Sequence, residues 1–391
     1  MKYVKIICLM VIILLFTGCS KTIIDELPEG YYFELNGLSA DIYSDTKLSD
    51  LVKKTNIDYD DLLLDTNSLG EKTTEIKFIV DKNTYIYHIN YSVKDLSKPR
   101  ILSSGDRYVT VGSDVWLCDY IMYGDEYDKE PVCRVEGEYD LNTIGDYNIK
   151  YIVSDESENE EYFETILHVI KEQKKSNTNK TTTYFKNVYN KNKNDNTSIG
   201  IDVSEWQDDI DFNKVKESGV EFVIIRIGLE LSKSKEIAID KKFSDNIKNA
   251  KDAGLKVGVY FYSVALNNEE AKDQAKWVLD TLNNEQLDLP IVFDWESFNN
   301  WNNLKLSFHD INEIADTFIS EVEKFGYKGM LYSSKFYLEN IWENKNNYPV
   351  WLAHYTDNTN YEGKYSIWQM CNDGKISGID TDVDIDIMYL E

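Results

Sequence analysis

The chain has 391 residues, of which 42% are hydrophobic, and its formal net charge at pH 7 is -27. The length predicts two or three domains, and the hydrophobic share is ordinary for a globular protein. The charge excludes nucleic acid as a partner, because binding to phosphates needs clustered Lys and Arg, and it argues against attraction to anionic membranes or polymers. We interpret the excess of acids as solvated surface.

The N-terminus has the pattern of an export signal. Two lysines precede an apolar run over residues 6–16, which is shorter than the ~20 residues that span a bilayer as a helix. The following "FTGC" resembles the lipobox of bacterial lipoproteins, whose lipidated cysteine is Cys19 here. We therefore predict a signal peptide over residues 1–18, a tether over 19–27 and a lipid-anchored protein on the extracellular face of the bacterial cytoplasmic membrane, in the cell wall. A plain secretory signal, with Cys19 incidental, is the alternative.

Residues 28–171 are predicted to be all-β, because stretches such as "TEIKFIV" and "TYIYHINYSV" alternate with the period of strands. An internal repeat aligns Gly70 with Gly145, each ahead of an alternating strand and a hairpin. The second copy ends in "GDYNIKYIVSDESEN" and resembles the bacterial Ig-like repeats of surface proteins. We predict two Ig-like sandwich modules, over residues 28–96 and 97–171, and interpret them as spacers.

The cysteines fit an oxidising compartment. Cys118 and Cys133 are close in sequence and are a candidate disulfide, which leaves Cys371 as a free thiol. The chain has only 4 histidines and no Cys/His cluster with zinc spacing, so we expect no metal site and no cofactor.

Residues 172–197 interrupt the acidic trend of the chain. They are rich in Asn, Lys and Thr and show no apolar period, so we predict a flexible linker. A basic segment that contacts the wall or the membrane is the alternative interpretation.

From Ser198 onward, apolar runs of strand length are separated by amphipathic helices, which predicts a parallel sheet covered by helices. The runs are SIGIDVS, EFVIIRIG, KVGVYFYS, LPIVFDWE, KGMLYSS, YPVWLAHY and KYSIWQM. Within residues 198–391 they indicate a β/α barrel with reduced or missing helices near its end. The predicted fold class is therefore multidomain: all-β modules followed by an irregular, TIM-like barrel.

Acids stand at the predicted strand ends, where β/α barrels form their active sites. Asp202 ends the first strand, Asp294 and Glu296 end the fourth, and Asp384 lies in the last. Because the first and last strands of a closed barrel are neighbours, we expect these acids to border one pocket. Several acids with aromatic walls suit glycoside hydrolysis, since crowding keeps one carboxyl protonated beside an ionised one. The alternative is that Asp202 and Asp384 cap helices or pair with Arg226.

In chain order, the motifs GIDVSEWQ, FVIIRIG, GVYFYS, PIVFDWE, WLAHY, WQ and VDIDIMY resemble glycoside hydrolase family 25, the Chalaropsis-type lysozymes. The resemblance covers residues 198–391 and implies an N-acetylmuramidase, which cleaves the β-1,4 bond between N-acetylmuramic acid and N-acetylglucosamine. It implies that Glu296 is the general acid and base, that Asp294 is its partner, and that Asp202 and Asp384 are further catalytic acids of the pocket. The substrate-binding residues that it implies are Tyr260, Tyr262, Trp206, Trp351, Tyr332 and Gln369.

One position departs from the family pattern. Asp386 stands where the last motif usually has Asn, and its added charge either raises the pKa of Glu296 or faces outward. The spacing of Asp294 and Glu296 does not distinguish retention from inversion. The resemblance favours net retention, with Asp294 assisting attack by the substrate's own acetamido group.

Peptidoglycan is the expected substrate, the membrane is a partner through the lipid anchor, and we expect a monomer that binds no nucleic acid. The rival hypothesis is a non-catalytic, glycan-binding surface lipoprotein with a degenerate barrel. That hypothesis predicts the loss of catalytic acids, and all of them are present. Hydrolysis of a different N-acetylated polymer is a third possibility.

Overall fold

The computed structural model describes residues 21–172, 182–231 and 233–390. The predicted signal peptide and Cys19 lie outside the described residues and stay predictions. The chain forms two compact units that divide between Leu96 and Ser97, where the boundary between the β modules was predicted. In the described part of the chain, no helix has both the length and the apolar composition that crossing a membrane requires.

The first unit consists mainly of short strands around one long hairpin. Its elements are β1 (Thr22–Ile24), β2 (Phe33–Leu35), β3 (Ser39–Asp41), α1 (Leu48–Leu51), β4 (Val52–Thr55), β5 (Gly70–Val80) and β6 (Asn83–Lys94). β5 and β6 pair antiparallel across a two-residue turn, in which Asp81 and Lys82 both have the positive φ of a tight hairpin. Ile76 and Phe78, two residues apart on β5, are both buried, as a strand period of two requires.

The second module, residues 97–171, belongs to the second unit. Its elements are β7 (Arg100–Ile101), β8 (Arg107–Thr110), a 3₁₀ helix (Leu117–Tyr120), β9 (Tyr123–Gly124), β10 (Val132–Glu136), β11 (Gly145–Ser154) and β12 (Glu160–Ile170). The main sheet has the order β10-β11-β12-β8. Gly145 opens β11 as Gly70 opens β5, so the sequence repeats hold equivalent places in two hairpins. The Ig-like assignment of both modules stays a prediction.

The cysteines of the second unit follow the expectation from sequence. A disulfide joins Cys118 to Cys133, which confirms the predicted pairing. Cys371 is an unbonded, buried thiol on the last part of the chain, and burial raises its pKa to about 12. Because only the thiolate reacts readily, this cysteine is expected to be chemically inert.

The barrel follows the second module. Its strands are β13 (Thr183–Tyr184), β14 (Thr197–Val203), β15 (Phe222–Glu230), β16 (Ile237–Ile239), β17 (Lys256–Ser263), β18 (Ile291–Trp295), β19 (Gly329–Ser334), β20 (Val350–Ala353), β21 (Ile367–Lys375) and β22 (Val383–Tyr389). Its helices are α2 (Phe185–Asn192), α3 (Phe212–Glu217), α4 (Phe243–Asp252), α5 (Asn268–Leu282), α6 (Phe308–Lys324) and α7 (Lys335–Asn340). Two 3₁₀ helices, Glu205–Gln207 and Ser297–Asn303, directly follow the ends of β14 and β18.

The barrel closes through its last strand. The strands from β14 to β21 pair in parallel in the order β14-β15-β17-β18-β19-β20-β21, and β22 runs antiparallel between β21 and β14. The first and last strands are therefore neighbours, as predicted. The connections from β20 to β21 and from β21 to β22 are fully described and contain no helix, which confirms the expected reduction near the end.

Helix α6 illustrates why the predicted helices form. Ser307 accepts a hydrogen bond from the backbone N–H of Asp310 at 3.0 Å, and the Asp310 carboxylate accepts one from the N–H of Ser307 at 2.9 Å. This reciprocal cap satisfies two N–H groups that the first turn leaves free. Ile311, Ile314 and Phe318 lie on one face and are buried against the sheet. Each such side chain contributes roughly 1.5–3 kcal/mol when fully buried.

The predicted linker is wrong for residues 182–197. β13 pairs with β21, and α2 buries Phe185 and Val188 in the barrel core. Their spacing of three residues is a helical signal that the surrounding Asn and Lys residues concealed. Residues 173–181 of the predicted linker lie outside the described part of the chain.

The second module packs firmly on the barrel, and its interpretation as a spacer stays a prediction. A Cβ atom on Gly124 would lie 2.7 Å from both Phe308 Cζ and Trp301 Nε1, so the backbone of β9 touches these rings directly. The N–H of Phe308 donates to the carbonyl of Asp125 at 2.7 Å. Arg100 donates through Nη1 to the carbonyl of Asn340 at 2.6 Å. These contacts fix the module beside the loop that follows β18.

Candidate active site

The barrel brings the predicted acids to one end of its strands. Asp202 of β14 is paired in register with Asp384 of β22, and Asp294 of β18 is paired with Tyr332 of β19 and Tyr262 of β17. Glu296 follows β18 directly. The expectation of a shared pocket at the carboxyl ends of the strands therefore agrees with the geometry.

At the end of β18, Trp295 points to one face of the strand, and Asp294 and Glu296 point to the other. Trp295 points into the core, where it is fully buried and its indole N–H donates to the carbonyl of Ala265 at 3.0 Å. Asp294 and Glu296 take the opposite side, because residues two apart on a strand share a face. Asp294 is 5% exposed, whereas Glu296 is exposed at the mouth of the pocket.

These two carboxyls are electrostatically coupled. Burial raises the pKa of Asp294 well above its usual value, and repulsion from Glu296 and Asp202 raises it further, against the opposing charge of Arg226. The protein atoms around Glu296 displace part of its hydration water, which raises its pKa, although the side chain still reaches solvent. Asp294 Oδ1 is buried and has no hydrogen-bond partner among the described residues. The pair therefore favours a state in which one of the two carboxyls keeps a proton near neutral pH.

Gln369 of β21 links the acids on the other side of the pocket. Its Nε2 donates to Asp202 Oδ2 at 2.8 Å and to Asp384 Oδ2 at 3.3 Å. Its Oε1 accepts from the hydroxyls of Tyr332 at 2.8 Å and Tyr355 at 3.0 Å. Since phenol hydroxyls donate to the amide oxygen, the amide nitrogen must face the acids. Tyr355 was missed by sequence reasoning, although it ends the quoted motif WLAHY and so stands at a strand end.

Replacing Gln369 with Leu should lower the free energy of unfolding of the barrel by roughly 2–4 kcal/mol. The substitution leaves Asp202, Tyr332 and Tyr355 without their amide partner, and each buried, unsatisfied polar group costs about 1–3 kcal/mol. Urea denaturation followed by tryptophan fluorescence measures the change. Gln286→Leu, at an exposed position, is the control and should change stability little. Equal stability of both variants would contradict the linking role of Gln369.

Asp202 and Asp384 neither cap helices nor pair with Arg226, so that alternative is wrong. Arg226 instead donates through Nε to Asp240 at 2.7 Å and through Nη2 to Glu205 at 3.1 Å. Burial and the neighbouring Asp202 raise the pKa of Asp384 to about 9, and burial followed by repulsion from Asp386 raises the pKa of Asp202.

Ser204, rather than Asp202, caps the 3₁₀ helix that follows β14, by accepting from the N–H of Trp206. The acids of β14 and β22 are therefore left for the pocket itself. They form a carboxyl pair held by the Gln369 amide.

The six predicted substrate-binding residues have different positions. Tyr260 and Tyr262 are half-buried on β17, and their hydroxyl pKa values are raised by burial and by nearby pocket acids. Trp206 is 72% exposed on the 3₁₀ helix after β14, where its ring is open to a ligand. Trp351 is only 2% exposed and Tyr332 7% exposed, so these two support the acids and offer little surface to a substrate. Gln369, also buried, has the linking position described above.

Comparison with known proteins assigns the chain to a family. Residues 201–379 match the model of glycosyl hydrolases family 25. The uncharacterized protein YegX of Escherichia coli O157:H7 is 32% identical over 200 residues, which are 49% of this chain and 69% of that protein. The chain belongs to glycosyl hydrolase family 25. It is thus an enzyme, a glycoside hydrolase of the lysozyme type.

The chain is also similar to two proteins whose names indicate a lytic enzyme or a glycosidase. An autolytic lysozyme of Clostridium acetobutylicum is 30% identical over 189 residues, covering 48% of this chain and 54% of that protein. A family 25 glycosyl hydrolase of Bacillus anthracis, of known structure, is 25% identical with a TM-score of 0.43, over 50% of this chain and 89% of that one. These matches cover about half of the chain and do not assign the β modules.

Asp386, the departure from the family 25 motif, is completely buried, so the expectation that it faces outward is wrong. Its Oδ1 accepts from Trp351 Nε1 at 2.8 Å, and its Oδ2 has no hydrogen-bond partner among the described residues. Burial, and then repulsion from Asp384, raises the pKa of Asp386, and its own charge raises the pKa of Asp202. For Glu296, loss of hydration is the cause of the raised pKa, so the other expected effect of Asp386 is also unsupported.

Replacing Asp386 with Asn, the usual family 25 residue, should raise the Tm of the barrel at pH 8 by at least about 2–4 °C, which corresponds to ~1 kcal/mol. At a pH between its unfolded and folded pKa values, an acid whose pKa is raised by folding is protonated in the folded protein but ionised in the unfolded chain. Its destabilising effect is absent below about pH 4 and grows as the pH rises towards the folded pKa. The gain should therefore nearly vanish at pH 4. Calorimetry at both pH values tests this, with the exposed Asp380→Asn as control, and a Tm gain independent of pH would refute it.

Proposed function

We propose that this enzyme hydrolyses peptidoglycan as an N-acetylmuramidase. The single observation that carries the proposal is the pocket at the carboxyl ends of the strands, where the coupled pair Asp294 and Glu296 lies across from Asp202 and Asp384. Membership of family 25 and the similarity to an autolytic lysozyme support the bond that is cleaved, the β-1,4 link between N-acetylmuramic acid and N-acetylglucosamine.

In the proposed mechanism, Glu296 protonates the leaving glycosidic oxygen. The carbonyl oxygen of the substrate's 2-acetamido group attacks the anomeric carbon from the opposite side, and the C1–O bond breaks. Asp294, as the carboxylate of the pair, accepts the acetamido N–H and stabilises the charge of the cyclic intermediate. Glu296 then takes a proton from water, which opens the intermediate and gives net retention.

The positions of the two acids suit this division of roles. Burial favours the shared proton on Asp294 in the free enzyme, so the mechanism requires that substrate binding places it on Glu296. The exposed Glu296 can reach both the leaving oxygen and an incoming water. Asp294 is buried, and its Oδ1 has no described partner, so an acetamido N–H would satisfy an atom that otherwise lacks a hydrogen bond. Asp202 and Asp384, held by Gln369, shape the far wall. The pKa of Asp384, raised by burial to about 9, keeps that carboxyl protonated near neutral pH, so it can offer a hydrogen bond to the substrate.

The experiment that tests the proposal is digestion of purified peptidoglycan by the purified protein. New reducing ends are reduced with borohydride and identified by mass spectrometry, and the anomer of the fresh product is followed by NMR. Muramic acid ends of retained configuration are expected. N-acetylglucosamine ends would refute the muramidase assignment, and an inverted anomer would refute the acetamido mechanism.

We further propose that the protein acts at the cell wall from the outer face of the cytoplasmic membrane, held by a lipid on Cys19. The lipobox-like sequence before that residue supports the anchor. Metabolic labelling with a palmitate analogue should mark the wild type and not the Cys19→Ala variant, whereas equal labelling would exclude lipidation at this residue.

A further inference from the structure

A cavity of about 480 Å³ lies between the second module and the barrel, outside the cluster of acids. The barrel lines it with the 3₁₀ helix Ser297–Asn303 and with Phe336 and Tyr337. The second module lines it with the segment from Asp119 to Met122 and with Leu102. Neither the proposed catalytic step nor the comparisons give this cavity a role.

The cavity opens on the same side of the barrel as the acids. The 3₁₀ helix begins directly after Glu296, and Phe336 and Tyr337 lie in the first turn after β19, so both barrel walls follow strand ends. Tyr337 stacks on Phe298 with ring centroids 3.6 Å apart. Phe298 follows Glu296 by two residues, so this stack lies next to the proposed catalytic acid in the chain. Burial, and then the charge of Glu296, raises the pKa of the Tyr337 hydroxyl. A polymer bound across Glu296 can therefore continue into this cavity.

The module wall is held in a fixed position. Asn302 donates through Nδ2 to the carbonyl of Ile121 at 2.8 Å and accepts from the N–H of Tyr123 at 3.3 Å. Gly124 also packs closely on Phe308. Moving the module away from the barrel would break this packing and both hydrogen bonds. A wall that is already ordered loses little conformational entropy when a ligand binds to it.

The lining chemistry suits an uncharged, hydroxyl- and amide-rich ligand. The cavity displays exposed amides of Asn299, Asn300 and Asn303 beside the exposed rings of Tyr120 and Phe336. The described residues that line it include one acid, Asp119, and no Lys or Arg. Amides supply directional hydrogen bonds in both senses, and aromatic rings supply flat apolar surface. An N-acetylated sugar offers the complementary groups, whereas a polyanion would find no cation.

We propose that this cavity is a glycan-binding subsite, shared by the second module and the barrel, that receives saccharide units beyond the pair at the cleaved bond. The inference rests on the proposed function, because the chain that fills the cavity is the one cleaved at Glu296. It gives the second module a direct role in selecting long glycan strands over short ones.

The test uses Tyr120→Ala on the module wall and Asn299→Ala on the barrel wall, both at exposed positions. The matched control is Tyr139→Ala, an exposed tyrosine of the same module that does not line the cavity. For each protein, kcat/KM is measured on glycan strands of many disaccharide units and on the shortest strand that the wild type cleaves. The ratio of the long-strand to the short-strand value should fall about five- to tenfold in both cavity variants, mainly through KM. The control should keep the wild-type ratio.

A wild-type ratio in both cavity variants would overturn the subsite while leaving the muramidase proposal intact. If the wild type cleaves neither strand, the proposed function fails. In that case, binding of long glycan strands to each full-length protein by calorimetry decides the inference. Weaker binding by Tyr120→Ala and Asn299→Ala than by Tyr139→Ala would support the subsite, and equal binding by all three would overturn it.

Discussion

Replacing Glu296 with Gln should reduce the turnover of peptidoglycan by about 10²–10⁴-fold, the usual contribution of a general acid and base. Gln keeps the size and polarity of the side chain but cannot give a proton to the leaving oxygen or take one from water. Because the Glu296 side chain is exposed, the variant should fold normally. Release of reducing ends from purified peptidoglycan measures the loss.

The control for Glu296→Gln is Glu269→Gln, which removes an exposed acid from the first turn of α5, away from the pocket. It should retain wild-type activity. A second substrate, an aryl β-glycoside with a good leaving group, should lose less activity in Glu296→Gln, because its departure needs no proton. Full activity of Glu296→Gln on peptidoglycan would exclude this residue as the acid and would favour a non-catalytic role for its charge.

Replacing Asp294 with Asn should also lower kcat by at least about 10²-fold, but with a different signature. The variant loses the carboxylate that would accept the acetamido N–H, so a good leaving group should not restore its rate. Besides burial, repulsion between the two acids raises the pKa of Asp294. Under the proposed roles, in which Asp294 carries the charge, the same repulsion holds the proton on Glu296; without it, the pKa of Glu296 should fall. Activity that needs protonated Glu296 is then lost at lower pH, and the alkaline limb of the pH profile should move downwards.

The pH profile separates this role from a merely structural one. Asp273→Asn, at an exposed position on α5, is the control and should leave both the rate and the alkaline limb unchanged. If Asp294→Asn lowers the rate without moving the alkaline limb, the electrostatic coupling of the pair is refuted. If it is rescued by the aryl glycoside to the same extent as Glu296→Gln, the two acids do not have the separate roles proposed for them.

Much of the barrel was predictable because its signals are local. Apolar runs of strand length and helices with a period of 3.6 depend only on neighbouring residues, and every predicted strand from β14 to β21 is present. The positions of Asp202, Asp294 and Glu296 followed from the rule that parallel strands end on one side. Helix α2 was missed, because one short apolar face with Phe185 and Val188 was outweighed by the polar composition around it.

The partners of the pocket acids were not predictable in the same way. The sequence named Gln369 but not its partners. Its amide nitrogen reaches Asp202 and Asp384, and its oxygen reaches two tyrosines, only because β22 pairs with β14 and β21 in a specific register. Asp386 lies two residues after Asp384 on β22, yet it is buried against Trp351. Whether an acid is buried decides the direction of its pKa, and burial is a property of the packed structure.

The sequence by itself determined the order of the strands, the helices that cover them and the acids at the strand ends, because these depend on periodicity and on the spacing of residues along the chain. Only the tertiary structure decided that the second module packs on the barrel beside Glu296, through Gly124 and Asn302. That contact joins surfaces some 180 residues apart, as Tyr123 and Asn302 are, and no periodic pattern records it. The physical reason is that docking depends on the fit of two folded surfaces, which exist only once both parts have folded.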